Sequence, residues 1–280
     1  MLRHKEDIWN ALRGFTAPPL FFAPFATGLP AGYEALVVVL LWLSLSDMNH
    51  ILHLHVHHNL FRHKLPNRLL DIGLGLVTGM TAANWRIQHV QGHHRGLAHE
   101  YGPAKAWEQR CFTIAGALSY STRTIWPIFA RPLAHSFTQW MRGTGHQRRR
   151  ARGSFFEQCL PPATATILLL VDPWLVAAYV VPWYVLVHFV TRYTDYLNHV
   201  GVAAEDVPIT NNSVHRFYNR VRCNFGYHTA HHYRPHAHWT TLPAIHAAIV
   251  DRIPPRYIKC YSWSGLLMPY HFYWSVGGRM

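Results

Sequence analysis

The sequence is poor in charge. Only 14% of its 280 residues are Asp, Glu, Lys or Arg, whereas 50% are hydrophobic, and a soluble globular domain normally carries about 25% charged residues. Lys and Arg are absent from two long windows, residues 14–61 and 153–191. Because a soluble amphipathic helix normally exposes such side chains along one face, the windows favour membrane-spanning helices over the buried core helices of a soluble protein.

Cysteine and the common catalytic motifs are also scarce. The four cysteines form no CxxC pair, so we expect free thiols in a reducing compartment and no disulfide framework. The chain contains no GxGxxG or other nucleotide-binding loop and no HExxH motif. The lack of an HExxH motif counts against a zinc-dependent membrane hydrolase.

Each window without Lys or Arg is long enough for two helices. A membrane span needs about 20 apolar residues, and a turn signal lies near the middle of each window, at Gly28–Tyr33 and at Val171–Trp174. Pro173 disfavours a helical conformation at the residue before it. We therefore predict one all-α membrane domain, residues 1–280, with four transmembrane helices: a hairpin at 14–61, a cytoplasmic segment at 62–152, a second hairpin at 153–199 and a cytoplasmic helical cap at 200–280.

The basic residues predict the orientation. All 26 Lys and Arg residues lie outside the two windows, including the run His146–Arg152, and such segments normally face the cytoplasm. We therefore expect both termini and the cap to be cytoplasmic. The net charge of +13 could indicate nucleic acid binding, but the cations flank apolar spans, so anionic lipid headgroups and an acidic protein are the expected partners.

Histidine is abundant, and its placement is not random. The chain has 23 histidines, and three tight clusters flank the predicted hairpins. The first, in "NHILHLHVHHNLFR", is an H-x3-H pair on one helical face; the second is "WRIQHVQGHH" and the third is "NFGYHTAHHYRP". The clustered histidines are His53, His57, His89, His93, His94, His228, His231 and His232.

This spacing is typical of metal ligands. Two imidazoles three or four residues apart on a helix lie close enough to bind one ion, and an adjacent pair can serve neighbouring ions. Eight such nitrogens exceed the four ligands of a zinc site and suit two ions of the iron type. The first cluster leaves a second pairing open, His58 with His63 as H-x4-H.

A polar stripe marks the end of the second window. His188, Arg192, Asp195 and His199 follow one another at helical intervals. We interpret His188 as structural and His199 as a further metal ligand. Asp195, one turn before His199, is expected to orient it or to hold a water molecule near the metal.

The clusters and their flanking residues resemble one known family. The first cluster is followed by "NLFR" and "LPNRLL", "WR" precedes the second, and "WTTLPAIHAAI" follows the third. From about Asp47 to Val250 the chain is similar to the integral membrane fatty acid desaturases with a histidine-ligated diiron centre. The resemblance implies four transmembrane helices with a cytoplasmic cap, two iron ions, O2 as co-substrate, and the metal ligands His53, His57, His89, His93, His94, His199, His228, His231 and His232.

The implied function is an O2-dependent oxidoreductase acting on an unactivated C–H bond of a fatty acyl or lipid chain. A desaturase is the main expectation, and a hydroxylase, ketolase or decarboxylase of the same superfamily is the alternative. A zinc-dependent membrane hydrolase and a divalent-metal transporter are the hypotheses from other classes. The chain departs from the family in having Leu54 where many members are acidic. It also has no HPGG haem segment, so we expect a separate electron donor such as ferredoxin.

Overall fold

The computed structural model describes residues 1–27, 31–45, 47–94, 113–202 and 208–259. The chain is mostly helical, as predicted, and divides into two compact units. Unit 1 comprises Met1–Val90 and Trp126–Phe189, and unit 2 comprises Gln91–Ile125 and Val190–Met280. Cys111 and Cys260, two of the thiols predicted to be free, lie outside the described residues, and within the described ranges neither Cys159 nor Cys223 forms a disulfide.

Thirteen helices are named here in chain order. They are α1 (Ile8–Phe22), α2 (Pro24–Thr27), α3 (Ala31–Leu45), α4 (Met48–His57), α5 (Lys64–Thr78), α6 (Ala82–Trp85), α7 (Ile114–Ile125), α8 (Pro127–Arg142), α9 (Gly145–Val171), α10 (Pro173–His199), α11 (Arg216–Val221), α12 (His228–Tyr233) and α13 (Leu242–Ile249). A π-helix, Arg86–His93, follows α6, and α10 contains a π-helical stretch at Val176–Val180.

Two of the described helices are long and apolar enough to cross a membrane. They are α9 and α10, with 27 residues each, and they occupy the second predicted hairpin. The first hairpin is not confirmed, because α1 and α3 have 15 residues each, fewer than the roughly 20 that a span needs. Residues 28–30 of its predicted turn lie outside the described part of the chain.

The turn between α9 and α10 is one residue long. Asp172 alone separates them, in an extended conformation (φ −150°, ψ 95°) that the following proline favours. Its carboxylate accepts a hydrogen bond from the Leu175 N–H at 2.9 Å. Asp172 therefore ends one helix and caps the next.

Close packing and a few polar contacts hold unit 1 together. α1 approaches α5 so closely that a Cβ added at Gly73 would lie 2.8 Å from the Pro18 side chain. The buried Trp183 indole donates to the Val77 carbonyl at 2.6 Å. Glu157 of α9, itself buried, pairs with Arg68 of α5 and accepts the Ala83 N–H at 2.8 Å. These contacts fix α9 and α10 against α5 and α6.

Unit 2 contains two apolar clusters. One joins α7 to the end of α10 through Ala117, Tyr120, Tyr196, Leu197 and Val200. The other packs α12 against α13 through Val202, Ala230, Leu242, Ile249, Ile253 and Tyr257. The described strands are two residues each, β1 (Asn212–Ser213) and β2 (Ile258–Lys259), and they pair in parallel. Unit 2 is therefore a helical unit with a minimal strand pair beside α12.

We expect Glu157→Gln to lower the free energy of unfolding by about 1–3 kcal/mol, because it removes the buried charge that pairs with Arg68. Thermal unfolding in detergent measures the change. Glu6→Gln, at an exposed acidic position, should stay within about 0.5 kcal/mol of the unaltered protein. Equal stability of the two variants would contradict the contribution of this pair.

Candidate metal centre

Three predicted ligands come together in unit 1. α4 presents His53 and His57, and the π-helix presents His89. The Nε2 atoms of His53 and His89 are 2.9 Å apart, and each of the three residues has a ring nitrogen within 4.8 Å of the others. His53 and His89 are buried. Unit 1 therefore presents a three-histidine group.

Local sequence positions this group. The Trp85 indole N–H, at the end of α6, donates to the Asn49 side-chain oxygen of α4 at 3.1 Å. The ring of His53 packs edge to face against that of His89, with centroids 4.6 Å apart. His89 lies on a π-helix, a form that is rare in proteins and frequent at functional sites.

Four predicted ligands form a second group, wholly within unit 2. They are buried, with exposed fractions of 2–7%, and are His93, His199, His228 and His232. The Nε2–Nε2 distances are 3.2 Å from His93 to His232, 3.2 Å from His232 to His228, and 3.4 Å from His228 to His199. All four side chains therefore direct the same ring nitrogen toward one point.

The donor set fits a metal ion. Two imidazole nitrogens bound at about 2.1 Å to one ion, at angles of 90–109°, lie about 3.0–3.4 Å apart. A neutral imidazole has one N–H and one lone pair, and lone pairs that face each other in a buried site are costly. A cation would satisfy all of them at once.

The remaining two predicted ligands also lie together in unit 2. The rings of His94 and His231 are 4.7 Å apart. Burial lowers the pKa of His94 and of His232 far below the ordinary histidine value, and the charges of neighbouring histidines lower both further. These rings are therefore neutral near pH 7, the form that binds metal.

A buried polar segment fixes the two helices that carry His199 and His228. The Asn211 side chain donates to the carbonyls of Leu197 and Val200 at 3.0 and 2.9 Å, at the end of α10. The adjacent Asn212 accepts the Thr229 N–H at 2.9 Å and donates to its hydroxyl at 2.8 Å, in α12. Two consecutive asparagines thus set the position of α12 relative to the end of α10.

Asp195 lies beside the four-histidine group. Its Oδ2 accepts hydrogen bonds from the Tyr120 hydroxyl at 2.7 Å and from Arg192 at 3.3 Å. Its Oδ1 is 3.9 Å from the His199 Nε2 and 4.0 Å from that of His93. One oxygen is therefore held by neighbouring donors, while the other faces the histidines.

The structure divides the second cluster in a way that its spacing did not predict. The H-x3-H rule predicted that His89 and His93 serve one ion, yet His89 lies with the unit 1 histidines and His93 with the unit 2 quartet. His58 lies 3.1 Å from His4, not beside the exposed His63. His188 is buried with its ring edge to face with Phe129.

Several residues beside the histidine groups were not predicted from the sequence. Tyr120, Asn211 and Asn212 belong to no recognisable motif, because each acts through contacts with residues distant in the sequence. The alternation of His53, His55 and His57 did indicate that His55 faces away from the other two, because residues two apart on a helix face opposite sides. His55 is fully buried on the face of α4 opposite the ligands.

We expect acidification from pH 7.5 to 5.5 to destabilise the metal-free protein. The unfolded chain gains protons below the ordinary histidine pKa of about 6.5, whereas His94 and His232 in the folded chain do not, so the free energy of unfolding falls as the pH drops below that value. Unfolding monitored at several pH values measures the loss. His232→Gln should reduce the slope and His146→Gln, at an exposed position, should not; equal slopes would contradict this assignment.

Comparisons with known proteins identify the family. A family model described as "Fatty acid desaturase" matches residues 28–264, a range that contains every predicted ligand. Searches of curated proteins and of solved structures found no significant match. Because the model covers most of the sequence, the chain belongs to the fatty acid desaturase family.

Proposed function

We propose that this protein is a membrane-bound, O2-dependent diiron desaturase of a fatty acyl or lipid chain. The observation that carries the proposal is the buried four-histidine group of unit 2, whose Nε2 atoms are spaced 3.2–3.4 Å apart, within the range matched by the desaturase family. Imidazole is a good ligand for iron.

Nine histidines are the proposed iron ligands. His93, His199, His228 and His232 would hold one ion as a complete set, and Asp195 would orient His199 or hold a water molecule through its Oδ1. The other candidates are His53, His57 and His89 in unit 1 and His94 and His231 in unit 2. Nine nitrogens are more than the four that one tetrahedral zinc ion would bind, which supports the proposal of two iron ions.

The proposed reaction needs one external electron donor. Bound iron would supply the activation of O2 needed to remove two hydrogen atoms from neighbouring methylene carbons. Overall, O2, two electrons and two protons are consumed, the chain gains one C=C bond, and two waters form. The protein itself would hold the metal with neutral imidazoles and exclude bulk water. The burial of the four-histidine group of unit 2 suits both roles.

The proposed setting is the membrane. We propose four spans in one domain, with both termini and the histidines on the cytoplasmic side, so that substrate arrives from the bilayer and electrons from the cytoplasm. α9 and α10 supply the support for two of these spans. The basic segments outside the two windows without Lys or Arg support the orientation.

We expect about two iron ions per chain in purified protein, and loss of most of that iron in the double variant His231→Ala, His232→Ala. Elemental analysis measures both. The control is His246→Ala, because His246 is a buried histidine of α13 outside the proposed ligand set. Zinc in place of iron, unchanged by the double substitution, would favour a hydrolase or a transporter.

Product analysis tests the reaction itself. In proteoliposomes with reduced ferredoxin and O2, we expect acyl chains two mass units lighter than the substrate, with the activity lost in His228→Ala and retained in His246→Ala. Mass spectrometry separates this outcome from the alternatives: a hydroxylase adds 16 mass units, a ketolase adds a carbonyl, and a decarboxylase shortens the chain. Any of these products would replace the desaturase assignment.

We also propose that the electron donor is acidic and docks on the exposed cations Arg148, Arg149 and Arg150 at the start of α9. Reversing all three to Glu should slow reduction by ferredoxin at low ionic strength by at least tenfold, since complementary charge mainly raises the association rate. Stopped-flow kinetics measures this. Lys64→Glu, at an exposed position of α5, is the control, and an unchanged rate in the triple variant would remove this docking surface.

A further inference from the structure

One carboxylate oxygen in unit 1 contacts both segments that carry its histidines. Asp71 of α5 is buried, with an exposed fraction of 6%. Its Oδ1 lies 3.2 Å from the Nε2 of His55 and 2.9 Å from an Nη of Arg86. His55 belongs to α4 and Arg86 to the start of the π-helix.

His55 is the link to His53 and His57. It is two residues from each of them, so it faces about 200° away around α4. Its Nδ1 accepts the Leu60 N–H at 3.4 Å, which places the ring proton on Nε2, the nitrogen that lies 3.2 Å from the Asp71 Oδ1. The hydrogen bond at Nδ1 and the carboxylate beside Nε2 together favour one rotation of α4, and with it the directions of the two proposed ligands.

Arg86 is the link to His89, three residues further along the π-helix. The Arg86 guanidinium donates to the same Asp71 oxygen that His55 contacts. A single anchoring point therefore serves both segments. The Trp85–Asn49 hydrogen bond provides a second, uncharged connection between them.

The charges in this contact are compensated. Burial alone would raise the pKa of Asp71, but the hydrogen bond with His55 and the charge of Arg86 hold it below its ordinary value. Asp71 is therefore an ionised carboxylate near pH 7, and such a buried charge persists only where its partners are fixed.

We infer that Asp71 is a positioning residue of the metal centre, which aligns His53, His57 and His89 by holding His55 and Arg86 on one oxygen. The inference rests on the proposed function, because it assumes that these three histidines bind iron. Asp71 itself does not contact the metal or the substrate in this account. It supplies the anchoring carboxylate in a chain that has Leu54 beside His53.

The test compares iron affinity with stability in matched variants. Asp71→Asn keeps the shape of the side chain but removes its charge, and we expect iron to be lost to a competing chelator about 10–100-fold more readily. Glu157→Gln is the matched control, because it removes the other buried carboxylate–arginine pair described in unit 1 and no predicted ligand contacts it. We expect Glu157→Gln to lower the unfolding temperature without changing iron affinity.

A double-variant cycle gives the second measurement. His55→Leu and Asp71→Asn should each weaken iron binding, and the double variant should be no weaker than the worse single one, because both break the same contact. Iron affinity in Asp71→Asn equal to that in Glu157→Gln, with the unaltered protein holding iron, would overturn the positioning role alone. An unaltered protein that binds no iron would overturn the proposed function together with this inference.

Discussion

The structure depends on one constraint, which is that buried imidazole nitrogens must have a partner. In unit 2 four histidines direct Nε2 toward one another at 3.2–3.4 Å, and burial keeps His94 and His232 neutral. Without a cation, facing lone pairs make such an arrangement costly. With one, the same arrangement becomes a metal site with four neutral nitrogen donors. The proposed metal ion would supply the partner that these buried nitrogens need.

Both units place a carboxylate paired with an arginine near histidines. In unit 2, Asp195 is held by Arg192 and Tyr120 beside His93 and His199. In unit 1, Asp71 is held by Arg86 and contacts His55. In each case an arginine pairs with a carboxylate that lies close to histidines. Contacts of this kind commonly orient metal ligands and tune their basicity.

The sequence predicted those features that depend on local pattern. The histidine clusters were identified from helical spacing, and the break at Asp172 from the proline that follows it. Features that depend on contacts between distant residues were not predictable. Tyr120 and Asp195 are 75 residues apart, and Asp71 contacts His55 and Arg86 across 16 and 15 residues without any motif. The division of "HVQGHH" between two groups also escaped prediction, because spacing describes one helix and the partner histidines come from others. The window without Lys or Arg at 14–61 predicted two spans, and these stay a prediction because the helices described there have at most 15 residues.

Mössbauer spectroscopy of the protein loaded with ⁵⁷Fe tests the central claim most directly, because it reports the number, oxidation state and ligand environment of the iron ions without requiring the substrate. The account predicts two high-spin ferrous ions per chain in nitrogen-rich environments, with the signal of one ion altered selectively in His199→Ala. A single iron environment at one ion per chain, or a spectrum unchanged by that substitution, would contradict a diiron centre built from these histidines.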